Sequence, residues 1–437
     1  MSIYDNAGVV LIPSGYKAAS TDNLYSVLPA NGDGDFNATR GSTATRVNKD
    51  GFIESVATNV PRLDYPLIDG VVQDCPALLL EPSRTNYLER TEEFDNSYWT
   101  KYSTSVTANQ TTAPNGSNGA DKLTENTSTT QHEIGRAFGF TSGITYVVSV
   151  FVKSNGRNLQ IRGGNTATFP ANANFDLSNG TIQSTSLGTA YIEDYGDGWY
   201  RCMVKATAAA SSTTNVNFRL VNGTLSTYTG DGSSGVFLWG AQNEIGLYPT
   251  SYIPWDGSGT TTRSADVCYG SGTSAEFNDS EGVLFAELEA LIDNDVSNRY
   301  ISIANFAGSN FVTIQYRTSG SNFRIYQNGV GSSNIVFIEN LDLTDNLKIA
   351  VKYGVSSSDY AVYVNGVKKT LNAGFVAETM SGLSELKFLY GGGGAPWYGK
   401  SKQLMTFKTV LNDSELETLT SWDSFNAMAT GQLYTIE

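Results

Sequence analysis

A chain of 437 residues is too long for one ordinary core, so two or three domains are expected. Only 16% of the residues are charged, with 28 Lys plus Arg against 43 Asp plus Glu and a formal charge of −15, and this acidic field repels phosphate backbones and argues against nucleic acid. No run reaches the ~18 apolar residues of a membrane span, the start MSIYDNAGVVLIPSGY lacks a secretory pattern, and Cys75, Cys202 and Cys268 have no C-x-x-C spacing; a protein without membrane insertion, disulfide framework or zinc knuckle is expected, its thiols buried.

Residues 1–75 open with a short apolar run, Val9 to Pro13, and an acidic loop, NGDGDFN. Then comes RVNKDGFIESVATNVPRLDY, in which Phe52, Ile53, Val56, Val60, Pro61, Leu63 and Tyr65 follow neither a helical nor a strand period. So scattered a set cannot close a core alone, which predicts an extended N-terminal arm that buries these residues on a sister subunit or on the domain that follows.

Across 76–268 the pattern turns to strands. TYVVSVFVK places Tyr146, Val148, Val150 and Val152 on one face, and NLQIRGG, ANFDLSNGTIQS, GDGWYRCMVKATA, VNFRLVNG and GVFLWGAQNEIG follow with Asn-Gly and Asp-Gly turns among them. A jelly-roll β-sandwich is the expectation. Residues 269–437 bring a second strand series from GVLFAELEAL to GKSKQLMTFKT, then one helix, LNDSELETLTSW, capped by Asn412 or Asp413 with Leu416 and Leu419 on its apolar side. The fold class is therefore all-β, with an extended arm, two β-sandwich domains and one short C-terminal helix.

Several ordered motifs resemble a family of phage and prophage virion proteins of tail-fibre and head-fibre type: Ala44 to Tyr65, Cys75 to Leu88, Glu92 to Lys101, Pro114 to Leu123, DGWYR at Asp197 to Arg201, and LWGAQNEIGLYPTSYIP at Leu238 to Pro254. The resemblance implies a carbohydrate-binding-like jelly roll carried on a virion. YAVYVNGVKKT and GKSKQLMTFKTVLNDSELETL make the C-terminal part similar to concanavalin A-like or laminin G-like sandwiches. What this implies is a structural fibre or decoration subunit, a homo-oligomer and most simply a trimer. Its arm would attach to other capsid or tail proteins and its sandwiches would bind host surface glycans. No catalytic residue is carried over.

The chemistry available is narrow. The single histidine, His132, stands on an alternating strand without a nucleophile elbow and is expected to face solvent. Glu287 and Glu289 share one face of a strand and leave a polysaccharide depolymerase or glycosidase as an alternative, although the chain departs from the tighter Glu-x-Asp-x-x-Glu of concanavalin-like glucanases, so no enzyme is expected. Asn31, Asp33 and Asp35 fail as a calcium loop, and no cofactor is expected beyond a structural calcium near Glu81 or Asp121. Stacking on sugars needs exposed aromatic faces flanked by hydrogen-bonding groups. In GDGWYRCMVKA, Tyr200, Cys202, Val204 and Ala206 fit a buried face, which puts Trp199 and Arg201 on the other. These two, with Trp397 and Tyr398 beside the GGGG loop, are the carbohydrate-binding candidates; Trp239 reads as core. A purely structural part without ligand is the remaining alternative.

Overall fold

Alternating apolar and polar residues pair into antiparallel strands in nearly every segment where that period was legible, and the computed structural model describes residues 3–13, 23–293, 297–317, 323–330 and 333–422. The chain is almost entirely β, arranged as two sandwiches. The helix Asp413–Ser421 forms where the cap predicts it. Asn412 accepts from the Glu415 amide at 3.0 Å, the Glu415 carboxylate accepts from the Asn412 amide at 2.8 Å, and Leu416 and Leu419 are buried.

The first sandwich has two six-stranded sheets. One runs Thr104–Thr111, Ala120–Glu125, Gly235–Ile245, Thr145–Asn155, Trp199–Thr207, Thr189–Asp194. The other runs Thr100–Tyr102, Glu133–Phe140, Ser212–Val221, Asn158–Gly163, Asn172–Asp176, Thr181–Leu187. Val148, Val150, Val152, Cys202 and Val204 face Ile134, Ile161, Phe175, Phe218 and Leu220 across the core, as the period-two pattern requires. Burial pushes the Cys202 and Cys268 thiols up, whereas Cys75 is exposed.

The second sandwich packs a five-stranded sheet against a larger one, and the larger one is where residues 1–75 go. Its strand Gly399–Phe407 takes Ala7–Leu11 along one stretch, with Leu11 opposite Leu404, and Ala77–Leu80 along another, with Leu80 opposite Gly399. Arg62–Asp64 then pairs with Ala77–Leu80. Val9, Leu11, Leu24, Phe36 and Leu63 enter the core of this sandwich, while Ile53 packs on Phe151, Trp199 and Trp239 of the first. The expected partner surface thus needs correction. Most of the described apolar arm residues are buried within their own chain, chiefly on the C-terminal sandwich and partly on the first, whereas Phe52, Ile68 and Val71 stay exposed. Strands of three to five residues show no reliable period, and the strand Gly399–Phe407 that receives Ala7–Leu11 and Ala77–Leu80 lies hundreds of positions away, so no local signal marked them.

A buried ion cluster fastens this junction. Arg62 meets Glu81 at 2.7 Å and also pairs with Asp266; Arg263 meets Glu81 at 2.7 Å, and Arg40 meets Asp266 at 2.9 Å. Ser251 adds its hydroxyl and amide to the two Glu81 oxygens, at 2.6 and 2.8 Å.

Candidate functional site

Trp199 and Arg201 do lie on the face opposite Cys202 and Val204, but that face is covered. Trp199 is 3% exposed among Ile53, Phe151, Trp239 and Tyr252, and its indole N–H donates to the Thr112 carbonyl at 3.0 Å. Arg201 is buried over the Phe151 ring and donates to Ser149 Oγ at 3.2 Å. Trp397 is 0% exposed and meets Tyr316 edge-on at 4.5 Å. Tyr398 is half-buried beneath the Arg299 guanidinium, 4.4 Å from its ring centre. The expectation that these residues stack on a sugar is therefore corrected for both tryptophans, which offer no ring face to solvent. The segment Arg46–Tyr65 and its neighbours cover one, and the second core takes in the other. Trp239 is core, as read from its strand.

The other candidates are also accounted for. His132 is buried rather than solvent-facing, with Nδ1 2.9 Å from the Ser103 carbonyl and its ring packed on Tyr228. Glu287 is buried and accepts from Asn346 Nδ2 at 2.8 Å and Gln403 Nε2 at 2.7 Å. Glu81 is committed to its arginines and Ser251, and Asp121 accepts from the amides of Phe94, Asp95 and Asn109 at 2.8, 3.3 and 3.0 Å. Neither has the open carboxylate oxygens that a calcium ion needs. Among the described residues no three His, Cys, Asp or Glu side chains gather as a metal site.

The group that sequence reasoning missed is the outer face of the sheet that starts at Thr100–Tyr102. Alternation that sends Ile134, Ile161, Phe175, Phe218 and Leu220 inward sends the intervening residues outward. Register then aligns them into rows across the sheet. One row reads Tyr102, Glu133, Arg219, Gln160, Asn174; the next reads Thr100, Gly135, Asn217, Arg162, Asn172. Polar residues thus stand opposite one another on five neighbouring strands.

These side chains form two tiers. Glu133, Asn217, Arg219 and Gln160, only 2–8% exposed, make the floor. Glu133 Oε2 accepts from Arg219 Nε at 2.7 Å, Glu133 Oε1 accepts from Asn217 Nδ2 at 3.1 Å, and Arg219 Nη2 donates to Gln131 at 2.8 Å. Gln160 Nε2 donates to Asn174 Oδ1 at 2.7 Å. Above the floor stand Tyr102, 42% exposed, Asn215, which donates to the Tyr102 hydroxyl at 3.2 Å, and the half-exposed Arg162, Asn172 and Asn174.

Hydrogen-bonding capacity on this face is left over. Gln160 Oε1 and Asn217 Oδ1 have no hydrogen-bond partner among the described residues, and the Arg162 guanidinium has no hydrogen bond or ion pair among them. Burial, then the neighbouring Arg219, push the Arg162 guanidinium below its ordinary value, and Glu133 offsets this in part. A face of this kind presents donors, acceptors and one aromatic ring over a rigid support.

No family model matches the chain, and no curated protein matches it. Solved structures similar to it include the carbohydrate-binding module CBM40 of the Ruminococcus gnavus IT-sialidase, bound to α2,3-sialyllactose, at 12% identity and a TM-score of 0.28 over 35% of this chain and 92% of that one. Domains LG4-5 of the mouse laminin α1 chain are similar at 9% identity and a TM-score of 0.24, over 76% of this chain and 91% of that one. A tail fiber protein from an E. coli phage is similar at 10% identity and a TM-score of 0.20, over 76% of this chain and 42% of that one. Likeness of this size carries no functional argument, which rests on the residues.

Proposed function

We propose that the protein is a non-enzymatic structural subunit of a phage virion, a fibre or decoration protein, that binds host surface glycans on the outer face of its first sandwich. The observation that carries the glycan reading is the polar ladder itself. From Tyr102 to Arg162 is three inter-strand steps, ~14 Å at 4.7–4.9 Å per step, room for an oligosaccharide. Its donors and acceptors are of the kind that bond sugar hydroxyls, and Tyr102 supplies the ring. The ordered motifs shared with fibre-like virion proteins support the setting.

A shallow face of this sort binds at about millimolar affinity, so useful attachment calls for several copies held together. A homotrimer provides them. Exposed Phe52, Ile68 and Val71 on the N-terminal segment are where another particle protein would meet it. Glu287, both of whose oxygens are hydrogen-bonded, supports the non-enzymatic reading over a depolymerase.

The test is a glycan array probed with the full chain. Arg162→Ala and Tyr102→Ala should each lower the signal about tenfold, equivalent to ~1.4 kcal/mol. A blank array favours a purely structural role and overturns the glycan reading. Release of reducing ends from host polysaccharide overturns the non-enzymatic one. Mass spectrometry of purified virions and light scattering of the purified chain test the setting and the trimer.

A further inference from the structure

A polar cleft of about 410 Å³ lies where the N-terminal segment, the first sandwich and the second sandwich meet. Each contributes a wall. The hairpin Leu67–Ile68 to Val71–Val72 and Asp64 come from the first, Glu193, Asp194 and Tyr200 from the second, and Lys400 from the third. A smaller cavity of about 140 Å³ adjoins it and shares Val47, Asp64, Glu193, Tyr195 and Lys400 with it, so those five residues form the neck.

The rim is fixed by close backbone approach. Gly70 (φ +73°) and Gly196 (φ +76°) touch, and a Cβ on Gly70 would come within 2.6 Å of Asp194 Oδ1 and 2.8 Å of the Gly196 Cα. Asp194 Oδ1 is already engaged, accepting from the Gly196 amide at 2.8 Å. Only glycine fits at this contact, which holds the hairpin as a wall rather than a loose loop.

The neck keeps polar groups unspent. Asp64 Oδ1 accepts from the Val47 amide at 2.9 Å, but Oδ2 lies 3.8 Å from Lys400 Nζ, beyond hydrogen-bond reach. The Glu193 carboxylate accepts no hydrogen bond from the described residues, its backbone being paired with the strand Trp199–Thr207. The cleft therefore offers carboxylate acceptors, one ammonium donor, and Tyr65 and Tyr200 on its sides.

We infer that this cleft is a second saccharide site, separate from the outer face, and that it takes a neutral, hydroxyl-rich sugar. Its volume falls within the ~300–1,000 Å³ of small-molecule sites. Excess carboxylate repels acidic sugars, and a polar neck disfavours apolar ligands. Sugar hydroxyls donate to Asp64 and Glu193 and accept from Lys400. Because three parts of the chain build it, the site exists only when residues 62–72 are docked.

Saturation-transfer NMR on the full chain tests this with four neutral probes, maltotriose, cellotriose, mannotriose and the N-acetylglucosamine trimer, and one acidic probe, a galacturonic acid trimer. At least one neutral probe should bind wild type, and it should persist in the Arg162→Ala, Tyr102→Ala double variant. Glu193→Gln should weaken it tenfold or more with an unchanged melting temperature, and Tyr200→Ala should weaken it at least as much while also losing packing against the first core. Binding lost in the outer-face variant but indifferent to Glu193→Gln and Tyr200→Ala overturns the second site and leaves the first standing. Failure of all four neutral probes, or preference for the acidic trimer in this cleft, overturns it as well.

Discussion

Arg62 and Glu81 meet at 2.7 Å with both side chains buried, and they join the strand Arg62–Asp64 to the end of Ala77–Leu80 just where the chain enters the first sandwich. Asp266 closes the same cluster from 204 positions beyond Arg62. Removing Arg62 takes one buried partner from each carboxylate and leaves Glu81 to Arg263 and Asp266 to Arg40, so the cost stays below the ~3–5 kcal/mol of a fully stranded charge. Arg62→Ala should therefore lower the melting temperature of the full chain by several degrees, read by calorimetry. A change within about 1 °C would show that the cluster does not hold the junction.

Acid should loosen the same joint. Burial alone would raise the Glu81 carboxyl, but Arg263, Arg62 and the Ser251 hydrogen bonds outweigh it and hold Glu81 well below its ordinary 4.5. A carboxylate more acidic in the folded than in the unfolded chain contributes its full stabilisation above about pH 4.5 and loses it as pH falls toward the folded value. Burial raises Asp64, which works in the opposite direction. Melting temperature measured from about pH 7 to about pH 3 should drop below pH 4.5, and the drop should be shallower in Glu81→Gln.

The sequence made some of this readable and hid the rest for definite reasons. Val148, Val150 and Val152 announced a strand, and Asn412 to Leu419 a helix, because both patterns are local. The parity that set Trp199 and Arg201 apart from Cys202 and Val204 was also right. What covers that face is Ile53 and the arm around it, far away in the chain, so exposure was misjudged. The outer ladder had a signal: Asn215, Asn217 and Arg219 alternate with Val216, Phe218 and Leu220. Its meaning depended on which strands lie beside it, and register across five strands is not written in any one of them.

Deleting residues 1–65 tests the in-chain role of the arm. An independent extension would come away and leave both sandwiches intact. Here the deletion removes Val9, Leu11 and Leu63 from the second core and uncovers part of the edge of Gly399–Phe407. An exposed edge invites pairing with other chains. The truncated protein should aggregate or lose its cooperative transition, scored by light scattering and calorimetry. Two intact transitions in a soluble product would refute the cis-docked arrangement.

Gly135 offers a way to separate the floor of the proposed glycan face from the groups that stand above it. A Cβ at this position would overlap Asn217 Oδ1 and come within 2.9 Å of the Val216 carbonyl oxygen. Gly135→Ala should push Asn217 off Glu133 Oε1, which leaves Arg219 holding the carboxylate alone. Glycan affinity should fall about tenfold, ~1.4 kcal/mol, together with a lower melting temperature. Adding Asn217→Ala removes the side-chain overlap but not the 2.9 Å approach to the Val216 carbonyl, so the double variant should recover part of the melting temperature but not affinity. Recovery of both would mean that Asn217 only fills space and that the ordered floor plays no part in recognition.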